Sequence, residues 1–403
     1  MAQWLKWHSV AVPYRMTTGD RRARLASRHR LSPRAVERDA GELAADLVVL
    51  HATDPATVYL SLAARSRDLA VDDVSRALYD DRSLVRMLGM RRTMFVVPDA
   101  LVPMVQRSSS DPVAARLRTA LVKHLAEVVD HPDAWLADVE RRVHAILQDT
   151  GGATAAALST AEPRLRTKLT YAEGKAYGGP ATITTRVLGL MAADGLIVRG
   201  RTAGSWTGAQ YEWAPIEAWL PGGIPALDPV RARAELVGAW LARFGPATVA
   251  DVAWWTGWNG RDTKAALAAV GAVEVDLNGI AGVVLPDDLD PVAEPEPWIA
   301  LLPALDPTPM GWVGRDWYFP PEFKAALFDR TGNIGPTVWC RGRVVGGWAQ
   351  RPSGEVVSRL LVDIGSEQAA AVRAEAARLQ DWIGSARVIP KFRTPLEREL
   401  ASG

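Results

Sequence analysis

The 403-residue chain has one cysteine, Cys340, so an intrachain disulfide and any cysteine-based zinc site are excluded. The six histidines fall at no metal-ligand spacing, and neither an HExxH helix nor a glycine-rich phosphate loop occurs. No run approaches the ~18 apolar residues of a membrane span. Met1–His8 lacks the apolar core of a secretory leader. These absences point to a soluble, cytoplasmic protein with no metal, cofactor or membrane partner. Net charge is scarce as well: +1 overall, which excludes a protein that is basic all over. It leaves room for a basic face, because charge is segregated along the chain. Arg82–Arg118 holds seven arginines against Asp99 and Asp111, Arg164–Arg201 seven basic residues against Glu173 and Asp194, and Glu274–Glu296 seven acids and no base. Any single cluster is equally a solvated helix face.

What is present is a core-forming composition, 48% hydrophobic and 23% charged, long enough for several small domains. Most of the 16 tryptophans lie between Trp206 and Trp348, where packing is their expected role. The basic stretch Arg21–Arg30 suits either phosphate contacts or a solvated helix end. Ser32-Pro33 reads as a helix start, with the helix running to about Val49. Pro55 opens a second helix to about Ala64, and Asp72–Tyr79 makes a third. Ser83–Pro98 follows as two short strands turning near Gly89. Three helices and a hairpin is the order of a winged helix.

That order returns twice. Helices over 112–148, Ala153–Leu158 and Thr182–Ala193 precede two strands within 195–213 that flank a glycine-rich tip. After a Pro/Gly linker at 221–229, helices over Arg231–Phe244, Thr248–Thr256 and Asp262–Val270 precede a hairpin turning at Asn278-Gly279. Beyond the acidic linker Asp287–Pro297, strands at Trp298–Leu305, Thr337–Cys340, Arg343–Trp348 and Glu355–Leu361, a helix over Ser366–Ile383 and a last strand at Arg387–Phe392 read as a β-rich domain. The expected fold is mainly α with β wings: three tandem winged helices (1–110, 111–222, 223–290) and a C-terminal domain (291–403).

A winged helix sets its third helix in or near the DNA major groove, and its wing on backbone or minor groove, although the fold also serves protein contacts. In the first hairpin the candidate DNA contacts are Arg86, Arg91 and Arg92; adjacent strand residues point to opposite faces, so one of Arg91 and Arg92 is expected to reach DNA. In the second unit Thr184 and Arg186 open the third helix, where phosphate oxygens are favoured. Its wing carries Arg199, Arg201 and Trp206, the indole either wedging into a base stack or packing on Trp213. Lys391 and Arg393 suit phosphate contacts or a solvated surface. The acidic third wing (Glu274, Asp276) argues for bracing rather than DNA contact.

The stretch Leu50-His-Ala-Thr-Asp-Pro-Ala-Thr-Val-Tyr-Leu60 puts an imidazole, a hydroxyl and a carboxylate beside an X-Pro helix start. Without further information it is a helix N-terminus capped by Thr53 or Asp54. Asp306, beside Pro307, either lines a cleft or caps a turn.

The Leu50–Leu60 string, Leu84–Pro98, Leu301–Trp312, Asp329–Trp339 and Phe392–Glu397 together resemble the winged-helix DNA glycosylase family of AlkZ and YcaQ, over nearly the whole chain from about residue 17. The resemblance implies three winged helices in a C-shaped, DNA-holding arrangement. It also implies a monomeric, monofunctional glycosylase that removes N-alkylated purines from double-stranded DNA, some of them crosslinked. The family's catalytic Gln-x-Gln, or Gln-x-Asp, falls where this chain has His51-Ala52-Thr53. It implies His51 and Thr53 as the water-handling pair and Asp54 as their neighbour. An imidazole titrating near ~6.5 can hold or deprotonate a water, and Thr53 can donate to it or accept from it. A non-catalytic DNA-binding protein with a decayed motif is the competing reading.

Overall fold

The computed structural model describes residues 14–36, 38–171 and 179–403. A two-residue strand, β1 (Tyr14–Arg15), leads into α1 (Thr18–Arg28), which starts in a capping box: Thr17 Oγ1 accepts from the Asp20 amide at 3.2 Å, and the Thr17 amide donates to Asp20 Oδ2 at 2.8 Å. Next come α2 (Ala40–Ala45), β2 (Leu50–His51), α3 (Pro55–Ala63), α4 (Val71–Tyr79) and the hairpin β3 (Leu84–Leu88) and β4 (Met94–Pro98), with sheet order β2-β4-β3. The short α5 (Val102–Val105) runs through a π-turn into α6 (Asp111–Leu125).

The same order of elements recurs. Helix α7 (Pro132–Thr150) is followed by a bridge from Ala153 to Trp213, α8 (Ala155–Ala161), an inserted hairpin β5 (Lys168–Tyr171) and β6 (Gly179–Thr182), α9 (Thr184–Ala193), and the hairpin β7 (Ile197–Thr202) and β8 (Tyr211–Pro215). It recurs again in α10 (Pro229–Phe244), a bridge from Ala247 to Val283, α11 (Val249–Thr256), α12 (Gly260–Ala269), β9 (Val273–Asp276) and β10 (Ala281–Val284). The β9–β10 turn holds Asn278 and Gly279 at positive φ, 56° and 89°, as this hairpin dipeptide permits. β1 adds to β9 in parallel, so this strand extends the β9–β10 hairpin into a three-stranded sheet.

The C-terminal part is a four-stranded antiparallel sheet, β11 (Ile299–Leu302), then α13 (Lys324–Leu327), β12 (Thr337–Cys340), β13 (Arg343–Gln350) and β14 (Val356–Leu360), with α14 (Ser366–Ile383) and α15 (Pro395–Ser402) following the last strand. Among the described residues no helix is long and apolar enough to cross a membrane.

Several expectations are corrected. The helix expected from Ser32 begins at Ala40, with Asp39 as its N-cap, and ends at Ala45. The preceding segment is committed to other contacts: Ala35 bridges to Ser66, and Arg34 pairs with Glu375 at 2.6 Å. The strand expected at 387–392 is irregular. It is held by side chains instead of a ladder, with the Val388 amide on Gln350 Oε1 at 2.8 Å and the Lys391 amide on Asp54 Oδ2 at 3.0 Å. α15 and the β5–β6 hairpin had no counterpart in the sequence reading. The basic stretch 21–30 neither faces solvent nor stands open: Arg24 and Arg28 both reach the Asp288 carboxylate, and Arg22 donates to the Trp317 carbonyl. The acidic linker is therefore partly neutralised by α1.

One core runs through the first unit, the third unit and the C-terminal part. Its centre is aromatic: Trp240 stacks on Phe244 (5.4 Å, 3° between planes), Phe244 meets Trp312 at 5.3 Å, and Trp339 stacks on Tyr318 at 5.3 Å. This accounts for much of the tryptophan content. Such rings bury large apolar area and fix packing geometry at once.

Candidate active site

Helix α3 is buried along its whole length from Ala56 to Ala63 because it packs on two bodies. Val58 and Leu62 enter the core of the first unit, whereas Ala56 and Leu60 meet Leu301, Val338 and Trp348 of the C-terminal sheet. Polar groups fix the same contact. Thr57 Oγ1 donates to the Ala304 carbonyl at 2.9 Å. Arg65, just past the helix, makes a two-pronged pair with Asp306 (2.8 and 2.7 Å), both side chains fully buried. Asp306 therefore neither lines a cleft nor merely caps a turn. A buried charge pair satisfied on both oxygens is costly to break from one side only.

His51, Thr53 and Asp54 occupy the turn between β2 and α3. Asp54 is the N-cap: Oδ1 accepts from the Ala56 amide at 3.1 Å, and Oδ2 from the Lys391 amide at 3.0 Å. Burial raises its carboxyl above the ordinary value, against the pull of these two amides. With both oxygens engaged, Asp54 positions the turn.

Strand alternation sends Leu50 and Ala52 into the first unit's own core and His51 to the opposite face, where it pairs with Phe95 (ring centroids 4.7 Å apart). The residue is 4% exposed, and its Nδ1 has no partner among the described residues. Burial, with a smaller contribution from the Arg91 charge, lowers its pKa from 6.5 to about 3. This corrects the expectation of a base titrating near neutrality: the ring is neutral at physiological pH and offers a lone pair. Thr53 is half-buried, the most open of the three side chains, and no hydrogen bond to another described residue ties its hydroxyl.

The expected DNA contacts divide. Arg91 and Arg92 lie in a 3-10 turn between β3 and β4, both at positive φ (54° and 59°), so strand alternation does not apply. Arg91 folds over Trp254 at 4.1 Å from the ring centroid, while Arg92 is exposed. Arg86 is buried, with Nε and Nη2 unpartnered, so it is not a surface contact. Thr184 is buried too, and its hydroxyl donates to the Leu165 carbonyl at 2.9 Å, leaving none for phosphate; Arg186 is exposed on the same first turn. Arg199 lies over Tyr211 at 4.6 Å, and Arg201 pairs with Asp80 at 2.6 Å. Arg393 is held by Glu397 at 2.7 and 3.0 Å. The Lys391 side chain is exposed.

Trp206 takes neither expected position. It packs against Tyr59 (5.2 Å) and Trp382 (5.8 Å), while Trp213 pairs with Tyr211. The β7–β8 connection is thereby seated between α3 and α14. The Lys391 amide, which holds Asp54, was not marked by sequence, and neither was Arg315. Arg315 belongs to a loop 264 residues downstream of His51 and shares Trp254 with Arg91.

Among the described residues no group of histidine, cysteine and acidic side chains could hold a metal ion. The site is a polar turn near cationic side chains, on a scaffold in which a helix–strand–helix–helix–hairpin order recurs. That combination defines a protein of mixed helix and mainly antiparallel sheet with a polar turn where the first unit meets the C-terminal part. The chain belongs to the AlkZ-like DNA glycosylase family, whose profile matches residues 44–382. Its fold is similar to that of the Streptomyces sahachiroi DNA glycosylase AlkZ (TM-score 0.72, 22% identity, covering 93% of this chain and 98% of that one). No curated protein matches the sequence.

Proposed function

We propose that the protein is a monofunctional DNA glycosylase that releases N7- or N3-alkylated purines from duplex DNA, crosslinked purines included. The three recurring units act as winged helices set in a C around the duplex, and the protein works as a monomer without a cofactor. The observation that supports this reading best is the His51–Thr53 turn itself: a neutral ring nitrogen without a partner among the described residues, two positions before a hydroxyl that no described residue bonds.

The chemistry is undemanding of acid and base. An N7-alkylated purine carries a positive charge and leaves readily. The protein must expose the bond, hold a water behind the sugar and stabilise an oxocarbenium-like centre. His51, neutral because it is buried, accepts a hydrogen bond from that water. Thr53 fixes the water's second direction. Asp54 is a positioning residue that locks the turn to α3 and to the Lys391 backbone. Proton uptake by His51 is not required: the C–N bond electrons leave with the cationic base, which departs neutral, and the water that then bonds to the oxocarbenium carbon releases its proton to solvent. Of the expected DNA contacts, Arg91, Arg92, Arg186 and Lys391 serve the backbone.

The test is base release. The protein is incubated with duplex DNA carrying N7-methylguanine or a nitrogen-mustard crosslink, and abasic sites are revealed by alkali. Thr53→Ala and His51→Ala are expected to lose on the order of 10²-fold in rate, the scale of losing one preorganised contact to the reacting centre. Equal, background release by wild type and both variants across several alkyl lesions would leave the non-catalytic DNA-binding reading in its place.

A further inference from the structure

Most buried or half-buried arginines in this protein have a carboxylate: Arg24 and Arg28 have Asp288, Arg65 has Asp306, Arg118 has Glu140 and Asp194, Arg393 has Glu397. Arg91 and Arg315 differ, as do Arg21, Arg86 and Arg199, but these two are set apart by sharing one ring. Both guanidinium groups lie over the Trp254 indole, at 4.1 and 5.1 Å from its centroid. Neither forms an ion pair with a described carboxylate. Arg315 donates through Nε to the Pro309 carbonyl at 3.3 Å, and Arg91 Nε is buried without a partner. Burial and then the Arg315 charge lower the Arg91 pKa to about 10, so Arg91 remains a cation at neutral pH.

Two like charges sharing one ring, with no ion-paired carboxylate among the described residues, is an arrangement that an anion completes. The backbone there is also strained. Arg91 and Arg92 adopt left-handed φ, a region that costs a non-glycine residue energy and clusters at functional sites. Arg91 is pressed on the C-terminus of α11, where Gly257 (φ 73°) leaves room; a Cβ there would lie 3.2 Å from Arg91 Cγ. Three separate parts of the chain thus meet: the first unit gives Arg91, the third Trp254, the C-terminal part Arg315. The Arg91 charge reaches His51.

We propose that Arg91 and Arg315, seated on Trp254, form a clamp for one backbone phosphodiester of DNA and so fix the strand that passes the His51–Thr53 turn. This deepens the glycosylase reading, on which the position of the turn rests. Arginine suits the task because its planar fork meets phosphate oxygens on two points, and its face stacks on an indole meanwhile. The clamp also forms only when the first unit, the third unit and the C-terminal part are docked as observed.

The experiment measures binding of undamaged duplex DNA by fluorescence anisotropy over a range of salt. Releasing one phosphate contact reduces the slope of log K against log salt by about 0.9. Arg315→Gln and Arg91→Gln are each expected to weaken binding on the order of tenfold at low salt, and their combination to flatten the slope by about 0.9 rather than twice that, since they share one phosphate. Wild-type affinity and slope in both variants, with only a lowered melting temperature, would show the pair to be a cation–π staple and overturn the proposal. If the glutamine variants do not fold, Arg91→Lys and Arg315→Lys retain the charge and lose the fork. They must then weaken binding at an unchanged slope, and wild-type affinity in both overturns the clamp. Because the duplex is undamaged, a flattened slope in a protein that releases no base upholds the clamp and removes the glycosylase reading, whereas base release with unchanged slopes does the reverse.

Discussion

Replacing His51 with glutamine tests the protonation state on which the proposed water-holding role depends. The imidazole is buried against Phe95 and has a pKa lowered from 6.5 to about 3. In the unfolded chain it titrates near its ordinary value. Between those two values the unfolded state holds a proton that the folded state does not, so stability falls as pH falls through this window. Going from about pH 7 to about pH 5, one such histidine costs about 2 kcal/mol, the free energy of protonating the unfolded chain alone. That figure holds for any folded value well below 5. Glutamine carries no proton to lose, and carboxylate titrations are common to both proteins and cancel. Urea unfolding of wild type and His51→Gln at the two pH values should therefore show wild type losing about 2 kcal/mol more than the variant. The same variant presents a neutral amide to the proposed water and should keep base release within about tenfold at neutral pH, on the view that positioning rather than proton transfer is the need. An equal loss of stability in both proteins would mean that protons reach the folded imidazole, and the neutral-ring argument would be refuted. An acid limb near pH 6.5 in the wild-type rate profile, absent from the variant, would refute it independently.

Asp54→Ala removes an N-cap and orphans the Lys391 amide; a loss of about 2 kcal/mol is expected, roughly half from each, read by chemical denaturation. Asp54→Asn should recover part of it, and a wild-type midpoint for the alanine variant would contradict the assignment. Asp306→Ala leaves Arg65 charged and fully buried, and should cost about 3–5 kcal/mol, much of which Arg65→Met in the same protein should restore. Unfolding midpoints of the two single variants and the double variant check this.

Sequence made some elements legible because their ends are chemically marked. Thr248 with Asp251 forms a capping box, Asp54-Pro55 opens α3, and Asn278-Gly279 turns a hairpin; each is local chemistry that distant packing does not override. What was not legible was set by partners far along the chain. Arg24 and Arg28 look like a solvated basic face until Asp288 is placed beside them. The segment 387–392 has a strand's composition, yet Gln350 and Asp54 take its amides. In the β5–β6 pair, Lys168–Tyr171 alternates polar and apolar residues over only four positions, its partner Gly179–Thr182 carries a glycine and a proline and no such alternation, and residues 172–178 between the strands lie outside those described. α15 did carry a sign, Thr394 before Pro395, that went unread. The candidate site divides the same way. Its turn was visible as a helix start. The burial of His51 depends on pairing with Phe95, and Trp206 at a glycine-rich tip was placed by Tyr59 and Trp382, neither near it in sequence.

The segment between β2 and α3 behaves as a link of fixed length. At one end His51 is registered against Phe95; at the other, Asp54 is pinned to the Ala56 and Lys391 amides. Only Ala52 and Thr53 lie between these anchors, and Ala52 is itself buried. Inserting or deleting one residue here would move His51 to the other face of its sheet or pull Asp54 from its cap. The turn therefore tolerates exchange of side chains and no change of length. Variation in chemistry is channelled to His51 and Thr53, the two polar positions whose side chains carry none of the anchoring hydrogen bonds, while the spacing His-x-x-Asp is fixed by the frame.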